Sequence, residues 1–301
     1  MEPAYLHLHH FGELARRADA AVAMMSPCRL CPRECGADRA VGRHGTCGIG
    51  GRARVASAGP HFGEERPLVG MHGSGTIFFA GCNLLCSFCQ NWDISHTDAG
   101  DDVEADELAA MMLRLQAMGC HNVNLVTPSH VAGPILEALD LAAGAGLRVP
   151  LVWNCGGFES VETLRLLDGV VDVYMPDFKF WSALWAERFC AAPDYRRRAV
   201  EALREMHRQV GDLIIGEDGL ATRGLLVRHL VMPNGVAGTA DVCAFLAGEL
   251  SPDTYVNVMD QYRPCGDAAN DPAIARPITN TEYAEAVASA RDAGLHRLDR
   301  S

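Results

Sequence analysis

The sequence is short of aromatic residues, which make up 7% of its 301 positions, and has no long apolar run. A bilayer-spanning helix needs about 18 consecutive apolar residues, so no such anchor is expected. The opening MEPAYLHLHHFGELARR lacks the basic and apolar regions of a secretory signal, which predicts a cytoplasmic location. Positive charge is also scarce: the formal net charge is -12 and the sequence pI is near 5.4. Without a basic stripe, nucleic acid is not an expected partner. The short run Arg196–Arg198 reads as a solvated helix face. No fixed-period repeat or low-complexity tract occurs.

Cysteine, by contrast, is abundant, with 12 residues. In a reducing compartment, clustered cysteines read as metal ligands before they read as disulfides. The chain falls into three zones: a Cys-rich metal-binding region over 1–70, an alternating α/β region over 71–262, and a tail with one helix over 263–301. In the middle zone, apolar runs at Thr76–Ala80, Asn122–Thr127, Pro150–Asn154, Val170–Met175, Leu225–Met232 and Tyr255–Met259 alternate with helical stretches near 103–118, 131–145, 159–168, 193–210 and 239–249. Apolar strands separated by helices predict a parallel sheet covered by helices. Six such units with right-handed crossovers curl into a partial barrel. The expected class is therefore α/β, a partial (β/α)6 TIM-type barrel with a Cys-rich N-terminal extension; an open doubly wound sheet is the alternative. Small and polar residues gather where each run exits, at the rim where α/β barrels build their sites.

The first run exits into GCNLLCSFCQN, which places Cys82, Cys86 and Cys89 at C-x3-C-x2-C spacing. Three thiolates on one loop can hold three corners of a [4Fe–4S] cluster and leave one iron open. Open coordination separates catalytic from structural metal sites. With Phe88 before the third cysteine, this loop resembles the signature of the radical S-adenosylmethionine superfamily. That resemblance implies a cluster whose open iron chelates S-adenosylmethionine. It further implies reductive cleavage to a 5′-deoxyadenosyl radical that takes hydrogen from a substrate, with a reductant such as flavodoxin or ferredoxin.

The segments GSGTIFFAGCNLLCSFCQNWDIS, NVNLVTPSH, VDVYMPDFK, RHLVMPN and VNVMDQY, spread over roughly residues 20–295, resemble an uncharacterised branch similar to pyruvate formate-lyase-activating enzymes. Those enzymes leave a radical on a glycine of a partner protein, so a protein or peptide substrate is implied. By resemblance, Asp177 and Lys179 are the candidate catalytic pair, and Arg228 and Asn154 lie near the cofactor together with Phe88. Where activating enzymes carry Gly-Gly-Glu, this chain has Thr127-Pro128-Ser129-His130. The Thr127 and Ser129 hydroxyls, or a backbone carbonyl of this segment, are the expected acceptors for the cofactor ammonium there.

A second set, CRLCPREC and GRHGTCG, brings Cys28, Cys31, Cys35 and Cys47 into a four-thiolate pattern suited to zinc or an iron–sulfur cluster. Cys120, Cys190 and Cys243 are expected to pack as small apolar residues. Cys155 and Cys265 fall near rim loops, and His7, His9 and His10 on the surface. A capping-box pattern at Thr279–Glu282 predicts the last helix. The competing function is a non-catalytic iron–sulfur or zinc protein for electron transfer or interaction, with a side chain such as His96 closing the loop cluster.

Overall fold

A computed structural model describes residues 2–299. Its strands are β1 (Ala53–His61), β2 (Ser74–Phe79), β3 (Asp101–Val103), β4 (Val123–Val126), β5 (Leu151–Cys155), β6 (Val173–Pro176), β7 (Ile214–Ile215), β8 (Ala221–Leu230) and β9 (Tyr255–Met259). The expected barrel is there. β2, β4, β5, β6, β8 and β9 run parallel in that order. Helices Ala105–Ala117, Ala132–Gly144, Val161–Leu166, Tyr195–Val210 and Thr239–Phe245 lie between them. β4, β5 and β6 are buried along their whole length. That is why they read as unbroken apolar runs instead of alternating ones. Tyr174, Trp153 and Leu225 belong to the main core, whereas Val152, Val173, Met175 and Leu226 form a separate apolar cluster with Leu68.

Residues 53–69 contribute more to the barrel than their place in the Cys-rich zone implies. β1 pairs antiparallel with β2 and extends the sheet, and β3 pairs with β1. The following turn inserts Leu68, fully buried, among the inner-face residues of β5, β6 and β8. Its carbonyl accepts from Asn122 Nδ2 at 2.9 Å, and the neighbouring Glu65 accepts from Asn257 Nδ2 at 2.8 Å.

Two helices at the amino end, Tyr5–His10 and Glu13–Ala23, escape the sequence reading. The second buries Leu14, Ala18 and Ala21, of which the two alanines carry only a weak apolar signal. It packs against helix Ala132–Gly144, where a methyl on Gly133 would lie 3.0 Å from Met25 Sδ. Asp172 fixes the start of the chain by accepting from the Ala4 amide at 2.8 Å and the Leu151 amide at 2.9 Å. His9 pairs with Asp140, while His7 and His10 flank the exposed Phe11. The last helix, Asn280–Asp292, starts with the expected reciprocal cap between Thr279 and Glu282.

Candidate active site

The cysteine loop leaves β2 through Ala80 and Gly81. A side chain at Gly81, whose φ is +73°, would lie 2.4 Å from the Cys47 carbonyl oxygen. Only glycine permits that approach. Leu85 is also left-handed, at φ 51°, and turns the chain between Cys82 and Cys86. Each thiol has its own neighbour. Cys82 Sγ accepts from the Leu84 amide at 3.4 Å, Cys89 Sγ accepts from Ser95 Oγ at 3.2 Å, and Cys86 Sγ lies 3.4 Å from Cys190 Sγ. Burial pushes Cys82 up to about 12 and raises Cys89. Cys86 is raised first by the Cys190 contact and then by burial. The free thiols are therefore protonated near neutral pH, and metal binding has to release those protons. Among the described residues, no three His, Cys, Asp or Glu side chains stand ready to hold a metal ion. The donor chemistry nonetheless fits a cluster: three soft ligands on one loop, with N–H and O–H groups already aimed at two of the sulfurs.

Arg33, from the Cys-Pro-Arg segment, braces this loop from outside. Its guanidinium donates to the carbonyls of Asn83 at 2.8 Å, Leu84 at 3.1 Å and Cys190 at 2.7 Å, and lies over the Phe158 ring. On the other side, the Asp267 amide donates to the Ser87 carbonyl at 2.8 Å, and Gly266 packs on Trp92 so tightly that a side chain would overlap the ring. The tail segment beginning at Cys265 thus docks on the loop.

Beside Cys86 and Cys89 the carboxyl-terminal ends of three strands meet. Asp177, just past β6, accepts from Lys179 Nζ at 2.5 Å and from Arg228 Nε of β8 at 2.7 Å. Arg228 also donates to Asn154 Oδ1 of β5 at 2.7 Å and faces Glu64 at 3.6 Å. Gly157, at φ +74°, makes the arrangement possible, because a Cβ there would lie 2.2 Å from the Asp177 carbonyl oxygen. Burial pushes the Asp177 carboxyl up, but the Arg228 and Lys179 charges outweigh it and hold the group below its usual range. Burial raises Glu64. The rim thus sets the Lys179 and Arg228 cations against Asp177, held firmly ionised between them, with Glu64 on the far side of Arg228. Asp177, Lys179 and Arg228 share a cavity of about 190 Å3 with Cys86, Cys89 and Gln261.

Residues 76–220 match the family described as the radical SAM superfamily. An uncharacterised protein of Methanocaldococcus jannaschii is 32% identical over 283 residues, covering 90% of this chain and 76% of that protein. The chain belongs to the radical SAM superfamily. The crystal structure of HydG, a maturase of the [FeFe]-hydrogenase, superposes with a TM-score of 0.47 at 15% identity over 73% of this chain; the chain spans about half, 49%, of that one.

A radical SAM enzyme binds a [4Fe–4S] cluster and S-adenosylmethionine, which together supply one-electron chemistry; the chain's own residues must hold and orient them. Of the residues singled out from sequence, Asn154, Asp177, Lys179 and Arg228 form one hydrogen-bonded network beside Cys86 and Cys89. Phe88 lines the same cavity but is 4% exposed, with Phe180, Phe189 and Tyr262 around it. Thr127 sits at the rim in a left-handed conformation, φ 60°, with its amide donating to the Asn154 carbonyl at 2.8 Å. A β-branched residue there is strained. Ser129 is different. It is fully buried and its hydroxyl donates to the Glu159 carboxyl, so that oxygen is already engaged. Burial, the largest influence on it, pushes Glu159 up to about 7 despite that bond.

Three participants were not visible in the sequence. Glu64 reaches Arg228 from the loop after β1, Gln261 follows β9, and Cys190 was read as packing. Cys190 is buried as expected, yet it packs against a loop cysteine. His96 stacks on Trp92 and lies 2.7 Å from Ser95 Oγ, one hydrogen bond away from Cys89.

Proposed function

We propose that this radical SAM enzyme directs hydrogen abstraction at a glycyl position of a partner protein or peptide. The observation that carries the reading is the Asn154–Arg228–Asp177–Lys179 network standing at the rim beside Cys86 and Cys89. In this reading Cys82, Cys86 and Cys89 ligate the cluster. Arg228 and Asn154 orient the cofactor, with the Arg228 guanidinium facing its carboxylate. Lys179 and Asp177 stand at the substrate side and position the peptide. The Thr127 and Ser129 segment lacks an acidic side chain of its own, so the cofactor ammonium is met by the Thr127 hydroxyl and backbone carbonyls. Cys28, Cys31, Cys35 and Cys47 are assigned a second metal, zinc or iron–sulfur. A flavodoxin or ferredoxin in the cytoplasm supplies the electron.

The test uses a library of peptides carrying glycine deuterated at Cα, incubated anaerobically with the reconstituted protein, S-adenosylmethionine and dithionite. Transfer of deuterium into 5′-deoxyadenosine, with a glycyl signal in electron paramagnetic resonance, is the expected result. Unlabelled 5′-deoxyadenosine with every peptide intact would overturn the glycyl reading while leaving the radical chemistry standing.

A further inference from the structure

Arg39 is an unusual residue: a guanidinium 1% exposed, with no carboxylate partner among the described residues. Its Nε donates to the Gly50 carbonyl at 2.7 Å and one terminal nitrogen to the His130 carbonyl at 2.7 Å. The other terminal nitrogen is buried without a partner. An arginine cannot shed its proton to escape such a position. A buried cation has to be offset by a nearby negative charge.

The groups in reach are thiols. The bonded terminal nitrogen lies 3.8 Å from Cys28 Sγ. A methyl built on Gly45 would lie 3.1 Å from Cys35 Sγ and 3.5 Å from Cys47 Sγ, so those two sulfurs face one point. Cys31 is buried beside them in the same segment. Four neutral thiols would leave Arg39 uncompensated. Four thiolates around Zn2+, or around a [4Fe–4S]2+ core, carry a net charge of roughly −2. Either supplies the negative charge the guanidinium lacks, with Cys28 Sγ as the sulfur nearest it.

We propose that Arg39 is the buried counter-ion and hydrogen-bond donor of a dinegative tetrathiolate centre held by Cys28, Cys31, Cys35 and Cys47. The inference rests on the second metal assigned above and names the residue that stabilises it. The centre also has a structural reach. The segment it orders carries Arg33, which grips the carbonyls of Asn83 and Leu84, and Cys47, whose carbonyl abuts Gly81. The His130 ring, whose carbonyl Arg39 holds, meets the Ala80 carbonyl at 2.8 Å. Three contacts thus tie the second centre to the loop that carries the first.

The test removes the first centre, so that bound metal belongs to the second. In a Cys82→Ala/Cys86→Ala/Cys89→Ala background purified anaerobically, metal per chain is measured by mass spectrometry and absorption. One zinc with no visible colour, or four irons with a broad absorption near the sulfur-to-iron region, supports the centre and distinguishes its two forms. Arg39→Met is expected to weaken retention against a chelator about tenfold or more, as loss of a partner to a metal ligand does. Arg39→Lys should recover most of it. If Arg39→Met does not fold, alkylation of the native chain decides. The four thiols should be protected together and exposed together on adding chelator. Independent alkylation, or no metal with all four thiols reduced, overturns both the centre and its counter-ion. A centre bound equally tightly in Arg39→Met overturns the role of Arg39 alone.

Discussion

Replacing Asp177 by Asn tests the rim network most sharply, because the change keeps shape and removes one charge. Asp177 is the common partner of Lys179 at 2.5 Å and Arg228 at 2.7 Å. Their side chains are 13%, 17% and 18% exposed. With the carboxylate gone, two cations stay largely buried with only Asn154 and Glu64 beside Arg228. Breaking a buried ion pair from one side costs about 3 kcal/mol. For a chain of this size that lowers the midpoint of thermal unfolding by roughly 6 °C. Adding Arg228→Met removes one uncompensated cation, so the double variant should regain about 1 kcal/mol or more relative to the sum of the single changes. The pH dependence follows from the same contacts. The Asp177 carboxyl is held below its usual range, so its stabilisation is complete above the ordinary carboxylate range and lost as pH falls through its lowered value. The measurement is thermal melting of the four proteins from pH 8 down to pH 2. A loss under about 2 °C for Asp177→Asn at neutral pH, or strict additivity with Arg228→Met, would refute the reasoning.

Other expectations concern the scaffold around the site. Burial lifts Glu159 to about 7 from an ordinary 4.5, so its favourable contribution is present below the ordinary value and fades as pH rises through 7, by about 3 kcal/mol in all. Glu159→Gln should therefore gain stability over the parent as pH rises from 5 to 8; melting curves with a constant difference would contradict this. Gly157→Ala drives a methyl to within 2.2 Å of the Asp177 carbonyl oxygen and is expected to cost about 2 kcal/mol or more, with weaker S-adenosylmethionine binding by calorimetry. Leu68→Ala empties the apolar cluster inside the barrel and should cost about 3 kcal/mol in denaturant titration.

Much of the barrel was legible in the sequence because its central strands β4, β5 and β6 are buried on both faces and most of its helices are long enough to show a period. Each of the six apolar runs became a parallel strand, and the cysteine loop and the Asp177, Lys179 and Arg228 positions fell at their ends. What was missed has a common physical form. The helix Glu13–Ala23 presents alanines to its neighbour, and alanine contributes too little apolar contrast to stand out. Glu64 and Arg33 act through single long side chains reaching from distant segments to Arg228 and to the loop carbonyls. No local spacing encodes a contact of that kind. Ser129 shows the reverse limit: a hydroxyl at the right place along the chain can be turned away by a buried acid such as Glu159, which only the fold brings near.

The central claim is that Cys82, Cys86 and Cys89 hold a catalytic cluster at this rim. The most direct measurement is the yield of 5′-deoxyadenosine after anaerobic reconstitution with iron and sulfide, then addition of dithionite and S-adenosylmethionine. The wild-type chain should form it in proportion to its loaded cluster, and Cys86→Ala should form none. A chain carrying a full [4Fe–4S] cluster that yields no 5′-deoxyadenosine, or a Cys86→Ala protein that yields as much as wild type, would contradict the claim.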